Sequence, residues 1–494
     1  MNENNNNSSK KEYILLGILL FAIVLRIYYL FVTIDQPVWW DEAEYLSAAK
    51  NWASQVPYEF NPQRPILLSV LEAVIFMLGG GEWVLRFMLG TLPSLGIVLF
   101  TYLLGKEMYD KNTGLIASFL MSSFWLLLFN TARLHVEALL LFFTILSIYA
   151  LWKGFVNQNN KYKIATGLFL GLSFLTKFTS ILLIAVSFLF LLITKRTKLF
   201  KDKHAWLSLL LFVITILPYF IWSKIKFGSF FVFLTGSREV TALLTNSDVG
   251  RTFGWYVLNF IPQFTLTLLL IAFFVGIYTL KELVLGFDLF LKNQGLKRVY
   301  ADFFNVIFIV ANFLFFIFIQ RSAEDRWLLP IAISLFLLIA LGLQYVHQIL
   351  VKFKVPKIAA TIFILLVMGA ATYAHISRAD QIIDEKKESY LQVKQAALWL
   401  KENTKEDDVI ITASAPQTTY YSERKTIGYG PQEDIEEIIK NVKPKYLTYS
   451  LFERHPEWVL PFLESNQSKF IPIQAFFLDQ EQKQLALVIY EIKY

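Results

Sequence analysis

Val38-Trp-Trp-Asp-Glu-Ala-Glu-Tyr-Leu-Ser-Ala-Ala-Lys-Asn-Trp52 follows the first long apolar run and sets two adjacent carboxylates, Asp41 and Glu42, among aromatic side chains. Asp41 and Glu44 have the Asp-x-x-Glu spacing of a helix capping box, so the stretch predicts a helix beginning at Asp41. Along it Tyr45, Leu46, Ala49, Trp52 and Ala53 recur at helical spacing and form one apolar stripe. A helix of this kind lies in a membrane interface, with Trp and Tyr at headgroup depth and its carboxylates at the start. The plainest role for Asp41 is then an N-cap, and for Trp39 and Trp40 an interfacial anchor. The chain on either side points further.

Of the 494 residues, 55% are hydrophobic, 17% are charged and 46 are Phe. A soluble domain carries about 25% charge, so this composition predicts a polytopic α-helical membrane protein with a soluble part. The formal net charge of +7 comes mostly from Lys and Arg in short loops between apolar runs. That pattern sets topology and calls for no nucleic-acid partner. The absence of cysteine excludes disulfides, thiolate metal sites and Cys nucleophiles. Residues 1–11, Asn-rich and ending in Lys10-Lys11, read as a disordered cytoplasmic tail before a retained first span, Tyr13–Val32.

Residues 33–84 are then an outer loop with two short helices, the second around Ile66–Leu78, too short for the ~20 residues a crossing needs. Arg86–Leu104 returns. Thr113–Trp152 and Ile164–Thr194 each have cationic flanks at both ends, so each is expected to cross out and come back. Their turning points are Asn130–Glu137 and the lone Lys177. An isolated charge at mid-bilayer costs roughly 2.5–3.5 kcal/mol on insertion scales, which favours outer turns for both. Crossings at Trp206–Trp222, Phe264–Leu285, Phe303–Ile319, Trp327–Gln344 and Ile358–His375 complete a count of about eleven spans, N-terminus inside and C-terminus outside. An outer loop of about forty residues after Trp222 carries Arg238, Glu239, Asp248 and Arg251. Residues 12–376 thus form the transmembrane domain. Residues 377–494 change to a soluble composition, with strands near Asp408–Thr412, Lys445–Tyr449, Phe470–Phe477 and Ala486–Ile492 and helices at Tyr390–Glu402 and Pro431–Lys440, a small extracytoplasmic α/β domain.

This topology gathers Asp41, Glu42, Arg64, Arg86, Arg133, His135, Glu137, Lys177 and Arg326 on one face. Cations neutralise a phosphate leaving group, and a carboxylate takes the proton of an attacking hydroxyl or amine. Each residue also has a structural reading: Arg64 and Arg86 as snorkelling cations, His135 as a local hydrogen-bonding partner, Arg326 as a clamp on Glu324 or Asp325. A lipid or solute transporter or flippase would line its cavity with similar charges, but would add inverted symmetry and broken helices at mid-membrane.

Six pieces in order carry a resemblance: Trp40-Asp-Glu-Ala-Glu-Tyr45, Asn61-Pro-Gln-Arg-Pro65, Gly81-Glu-Trp-Val-Leu-Arg86, Ala132-Arg-Leu-His-Val-Glu-Ala138, Phe174-Leu-Thr-Lys177 and Asp325-Arg-Trp-Leu-Leu-Pro330. Together they resemble the C-type (GT-C) membrane glycosyltransferases, in particular the protein O-mannosyltransferase and lipid A aminoarabinose transferase branch. The resemblance implies a first outer loop with two juxtamembrane helices. It also implies transfer of a hexose or pentose from a polyprenyl-phosphate carrier to a protein, lipid or glycan acceptor at the extracytoplasmic face. By it, Asp41 is the base or acceptor-orienting group and Glu42 its support. Arg64, Lys177, Arg326, Arg133 and Arg86 bind the donor phosphate, and Glu137 and His135 support them. Any divalent metal would fall to Asp41 and Glu137. Two departures stand out. Gln63 occupies a position that is often acidic in metal-type relatives, and an amide is a poorer divalent-cation ligand than a carboxylate. Glu137 stands where Asp is more usual.

Overall fold

Apolar runs between cationic flanks fold as helices because lipid offers nothing to backbone N–H and C=O groups. The computed structural model describes residues 2–234, 264–285, 297–320, 324–479 and 481–494. Most of the outer loop expected after Trp222, with Arg238, Glu239, Asp248 and Arg251, lies outside the described residues, as does Arg321. The chain divides into two compact units. One holds Met1–Val32, Pro62–Leu67 and Arg86–Ile383; the other holds Thr33–Asn61, Leu68–Leu85 and Asp384–Tyr494.

In the first unit and its flank, eight described helices are long and apolar enough to cross a membrane: Lys11–Val32, Glu82–Met108, Val136–Val156, Phe178–Lys195, Lys203–Phe227, Lys297–Gln320, Ile331–Lys352 and Lys357–Lys386. A ninth is the pair Lys111–Ser122 and Trp125–Thr131, bent by 56°. The count of about eleven includes two further segments, Asn160–Thr176 with 17 residues and Leu266–Leu285, whose apolar part is Leu268–Lys281. The chain is a multi-pass membrane protein.

Close helix approach rests on small residues, since apolar burial drives little association inside lipid. Gly167-Leu-Phe-Leu-Gly171 on Asn160–Thr176 packs against Lys203–Phe227: a Cβ at Gly167 would fall 1.8 Å from the Ser208 carbonyl oxygen, and one at Gly171 2.8 Å from the Thr215 Cβ. The first span carries a fully buried Arg26, which donates to Ser94 Oγ at 2.9 Å and to the Ser122 carbonyl at 2.7 Å. It therefore joins three helices.

The second unit contains helices Trp40–Ser54 and Leu67–Met77, tied where Ser69 Oγ donates to the Tyr45 carbonyl at 3.0 Å. Its sheet has the order β2-β1-β3-β5-β4, with β1 Val409–Thr412, β2 Lys425–Gly428, β3 Tyr446–Ser450, β4 Phe470–Phe477 and β5 Leu485–Ile492. β1 pairs in parallel with β2 and β3, while β5 pairs antiparallel with β3 and β4. Helix Ala415–Ser422, between β1 and β2, holds the first-loop helix: Val38 N–H donates to the Tyr421 hydroxyl at 2.9 Å and Ser47 Oγ to the Pro416 carbonyl at 3.1 Å.

The glycine contact predicts a clear contrast. Gly167→Val should destabilise the purified protein by about 1–3 kcal/mol, as overpacking does. Gly17→Val, where a Cβ meets nothing within 4 Å, should leave the thermal midpoint within error. Equal midpoints for the two variants would contradict the packing described.

Candidate active site

In the first unit, Arg133, His135, Glu137 and Lys177 are positioned by two chain breaks. The first is the turn Ala132–His135, between helices Trp125–Thr131 and Val136–Leu151. Arg86, fully buried in a π-helical turn, donates to the Ala132 carbonyl at 2.8 Å and so braces it. His135 has extended backbone and precedes the helix, which puts Glu137 in the first turn, where the helix dipole favours a carboxylate. The second break is at Lys177. Helix Asn160–Thr176 ends there, the residue is extended, and its cation stands at a helix C-terminus, the favourable end.

Glu137 is the centre of the set. It is 1% exposed, and its Oε1 lies 3.0 Å from Lys177 Nζ and 3.7 Å from Arg326 Nε; its Oε2 is 3.5 Å from His135 Nδ1. Arg326 Nη1 is 2.9 Å from that same Nδ1. A guanidinium has no acceptor, so it donates and the imidazole accepts through an unprotonated Nδ1. His135 is thus a spacer between cation and carboxylate. Arg326 also pairs with Glu324, which is largely exposed; water screens that pair strongly. Buried alongside, Arg133 is 1% exposed. Lys177, Arg326 and Arg133 against Glu137 and Glu324 leave one positive charge over, which suits a phosphate group.

Arg64 belongs to this unit too, half-buried in the turn before Leu67. The donor set does not suit a divalent cation, because Glu137 is already neutralised by Lys177 and Arg326 and the open nitrogen of His135 faces a guanidinium. Among the described residues no group of three His, Asp or Glu side chains is placed to hold a metal. No residue is assigned as a metal ligand here.

Asp41 and Glu42 lie in the second unit. The helix starts at Trp40 with Trp39 as its N-cap, and the capping carboxylate is Glu42, whose Oε2 accepts the Trp39 N–H at 2.5 Å. This corrects the expected start at Asp41. The Asp-x-x-Glu spacing matched the motif, but the N-cap is Trp39, two residues before Asp41, so the acid at the third helical position, Glu42, folds back. Asp41 is partly buried in the first turn and Glu42 fully buried. Glu44 accepts from Asn61 Nδ2 at 3.1 Å, which ties helix to loop. Among the buried charged side chains that the sequence did not single out are Arg26, absorbed into an apolar span, and Glu72, the lone charge in Leu67–Met77.

Removing the cation next to Glu137 leaves a dry carboxylate short of a partner. Lys177→Met should therefore lower stability by about 3 kcal/mol, the low end for a broken buried pair. Glu137→Gln added to it should recover part of the loss in a thermal melt. A double variant melting below both singles would contradict the pairing.

The family model described as dolichyl-phosphate-mannose-protein mannosyltransferase matches residues 63–222. No curated protein matches the chain. Among solved structures, ArnT from Cupriavidus metallidurans bound to undecaprenyl phosphate is similar with a TM-score of 0.67 and 13% identity, over 96% of this chain and 98% of that one. The Archaeoglobus fulgidus oligosaccharyltransferase in its apo form gives a TM-score of 0.64 and 14% identity, over 89% and 69%. AglB of the same organism, in complex with an inhibitory peptide and a dolichol-phosphate, gives 0.56 and 15%, over 89% and 70%. The chain has the fold of the C-type membrane glycosyltransferases.

Proposed function

We propose that the protein transfers a hexose or pentose from a polyprenyl-phosphate-linked donor to an acceptor at the extracytoplasmic membrane face. The observation that carries this reading is the Glu137 cluster, a buried carboxylate between Lys177 and Arg326, with Glu324 and the buried Arg133 bringing the set to one positive charge over. Ligands in the similar structures agree with it, since undecaprenyl phosphate and dolichol-phosphate are both lipid phosphates.

The chemistry assigned to each residue is specific. An acceptor hydroxyl or amine attacks the anomeric carbon of the sugar, and Asp41 takes the proton it loses. The bond from that carbon to the phosphate oxygen breaks, and its electron pair leaves with the polyprenyl phosphate. Lys177, Arg326 and Arg64 bind that phosphate and stabilise the charge it gains, with Arg133 behind them. Glu137 and His135 hold the cations in place, and Arg86 keeps the turn that presents them. Glu42 fixes the helix start on which Asp41 sits.

Full-length protein in nanodiscs, given a panel of undecaprenyl-phosphate-linked hexoses and pentoses and a crude envelope extract as acceptor, should release free undecaprenyl phosphate as sugar is transferred. Asp41→Asn should slow transfer about 100-fold or more, the scale of a lost general base. Wild-type rates in Asp41→Asn would remove the assignment of the base.

A further inference from the structure

Helix Leu67–Met77, at 11 residues, is too short to cross a bilayer, and Glu72 is its one charged residue. Glu72 is fully buried, and among the described residues no donor reaches either of its oxygens. An ionised carboxylate in that position loses its hydration without a compensating donor, which is what makes buried acids hold their protons.

The acidic neighbour that acts on this side chain is Glu42 of the first-loop helix. Ser69 and Tyr45 tie the two helices together. Three residues from that contact on each helix, on the same faces, stand Glu72 and Glu42. Glu42 is fully buried as well, and its Oε2 accepts from Trp39 N–H at 2.5 Å. Helix Ala415–Ser422 brings Tyr420, which donates to Glu82 Oε1 at 3.1 Å and whose ring lies 4.5 Å from Lys50 Nζ. Lys50 is engaged with Glu423 at 2.7 Å and with the Tyr420 carbonyl at 3.0 Å. The groups acting on Glu72 are thus acidic: Glu42 directly, and Tyr420 with its Glu82 partner from the third helix.

We propose that Glu72 is a neutral carboxylic acid donating its O–H to Glu42, so that the pair carries one proton and one negative charge. Its role is positioning. The shared proton holds the Glu42 carboxylate against the Trp39 N–H, and with it the turn that presents Asp41; this consequence for transfer rests on the function proposed above. Burial, and secondly the charge of Glu42, push Glu72 well above the usual carboxylate range. The sign for stability follows. The unfolded chain releases this proton above a pKa of about 4.3 while the folded chain keeps it. Stability from this group is therefore full below that pH and declines as pH rises through the folded value.

Infrared difference spectroscopy on the full-length protein in nanodiscs at neutral pH tests this. Wild type minus Glu72→Gln should show the carbonyl band of a buried protonated acid. Glu72→Met, apolar and of similar size, should give the same band and covers the case in which the amide misfolds. The thermal midpoint of Glu72→Gln relative to wild type should rise steadily from acid to alkaline pH. In transfer from the undecaprenyl-phosphate sugars, Glu72→Ala should be about tenfold or more slower, a change that corresponds to one lost positioning hydrogen bond. Glu72→Gln, whose amide N–H can replace the O–H, should rescue it and lack the alkaline decline of wild type. Absence of the acid band in both difference spectra, or an alkaline decline unchanged in Glu72→Gln, overturns the proposal. Normal transfer by Asp41→Asn would instead remove the base assignment, and the infrared and melting results would still decide the protonation of Glu72.

Discussion

Glu137 cannot be left alone. It is a carboxylate with 1% exposure at the head of a membrane helix, and such a charge persists only where cations and helix dipole repay its lost hydration. That requirement explains two otherwise awkward breaks in the fold. Helix Asn160–Thr176 stops after 17 residues and the chain extends at Lys177, which delivers an ammonium to 3.0 Å. The short 3₁₀ segment Asp325–Leu328 delivers Arg326 to the same oxygen. A continuous helix at either place would satisfy more backbone and strand the carboxylate.

The second unit solves a different problem, that of holding a short amphipathic helix in one pose. Propensity does little for a helix of 15 residues, so tertiary contacts must fix it. Helix Ala415–Ser422, a segment from the far end of the sequence, supplies them through Tyr421 and Pro416, and Lys50 is fastened to Glu423. The soluble region is in this way part of the support for Asp41 and Glu42. Its sheet, parallel on one side and antiparallel on the other, presents β2 as a short edge strand beside that helix.

Much of this was legible because lipid makes misplaced charge so expensive. Lys177 stood alone in an apolar run, and the structure has a break there, with Glu137 as its partner. The turn around Arg133 was readable for the same reason. Applied to Leu67–Met77, that reasoning would also have singled out Glu72, and applied to the first span it would have found Arg26. Both were hidden by reading whole runs as apolar, although one charge per run was the informative feature. The cap was displaced by two residues, from Asp41 to Trp39, because Glu42 and Glu44 compete for the closing position of a motif that sequence spacing alone cannot resolve. Strand Lys425–Gly428 escaped since an edge strand with both ends exposed lacks a clear alternation. Long-range support from Tyr421 and Pro416 has no local signature at all.

The account depends most on the Glu137 cluster being a lipid-phosphate site and not merely an ion-pair staple. Titration of undecaprenyl phosphate into the full-length protein, followed by native mass spectrometry, addresses this directly. Lys177→Met and Arg326→Met should each weaken binding about tenfold or more, the scale of one lost charge-assisted contact, with the wild-type cluster saturating at one lipid per chain. Affinity unchanged in both variants, with the protein still folded, would contradict the account.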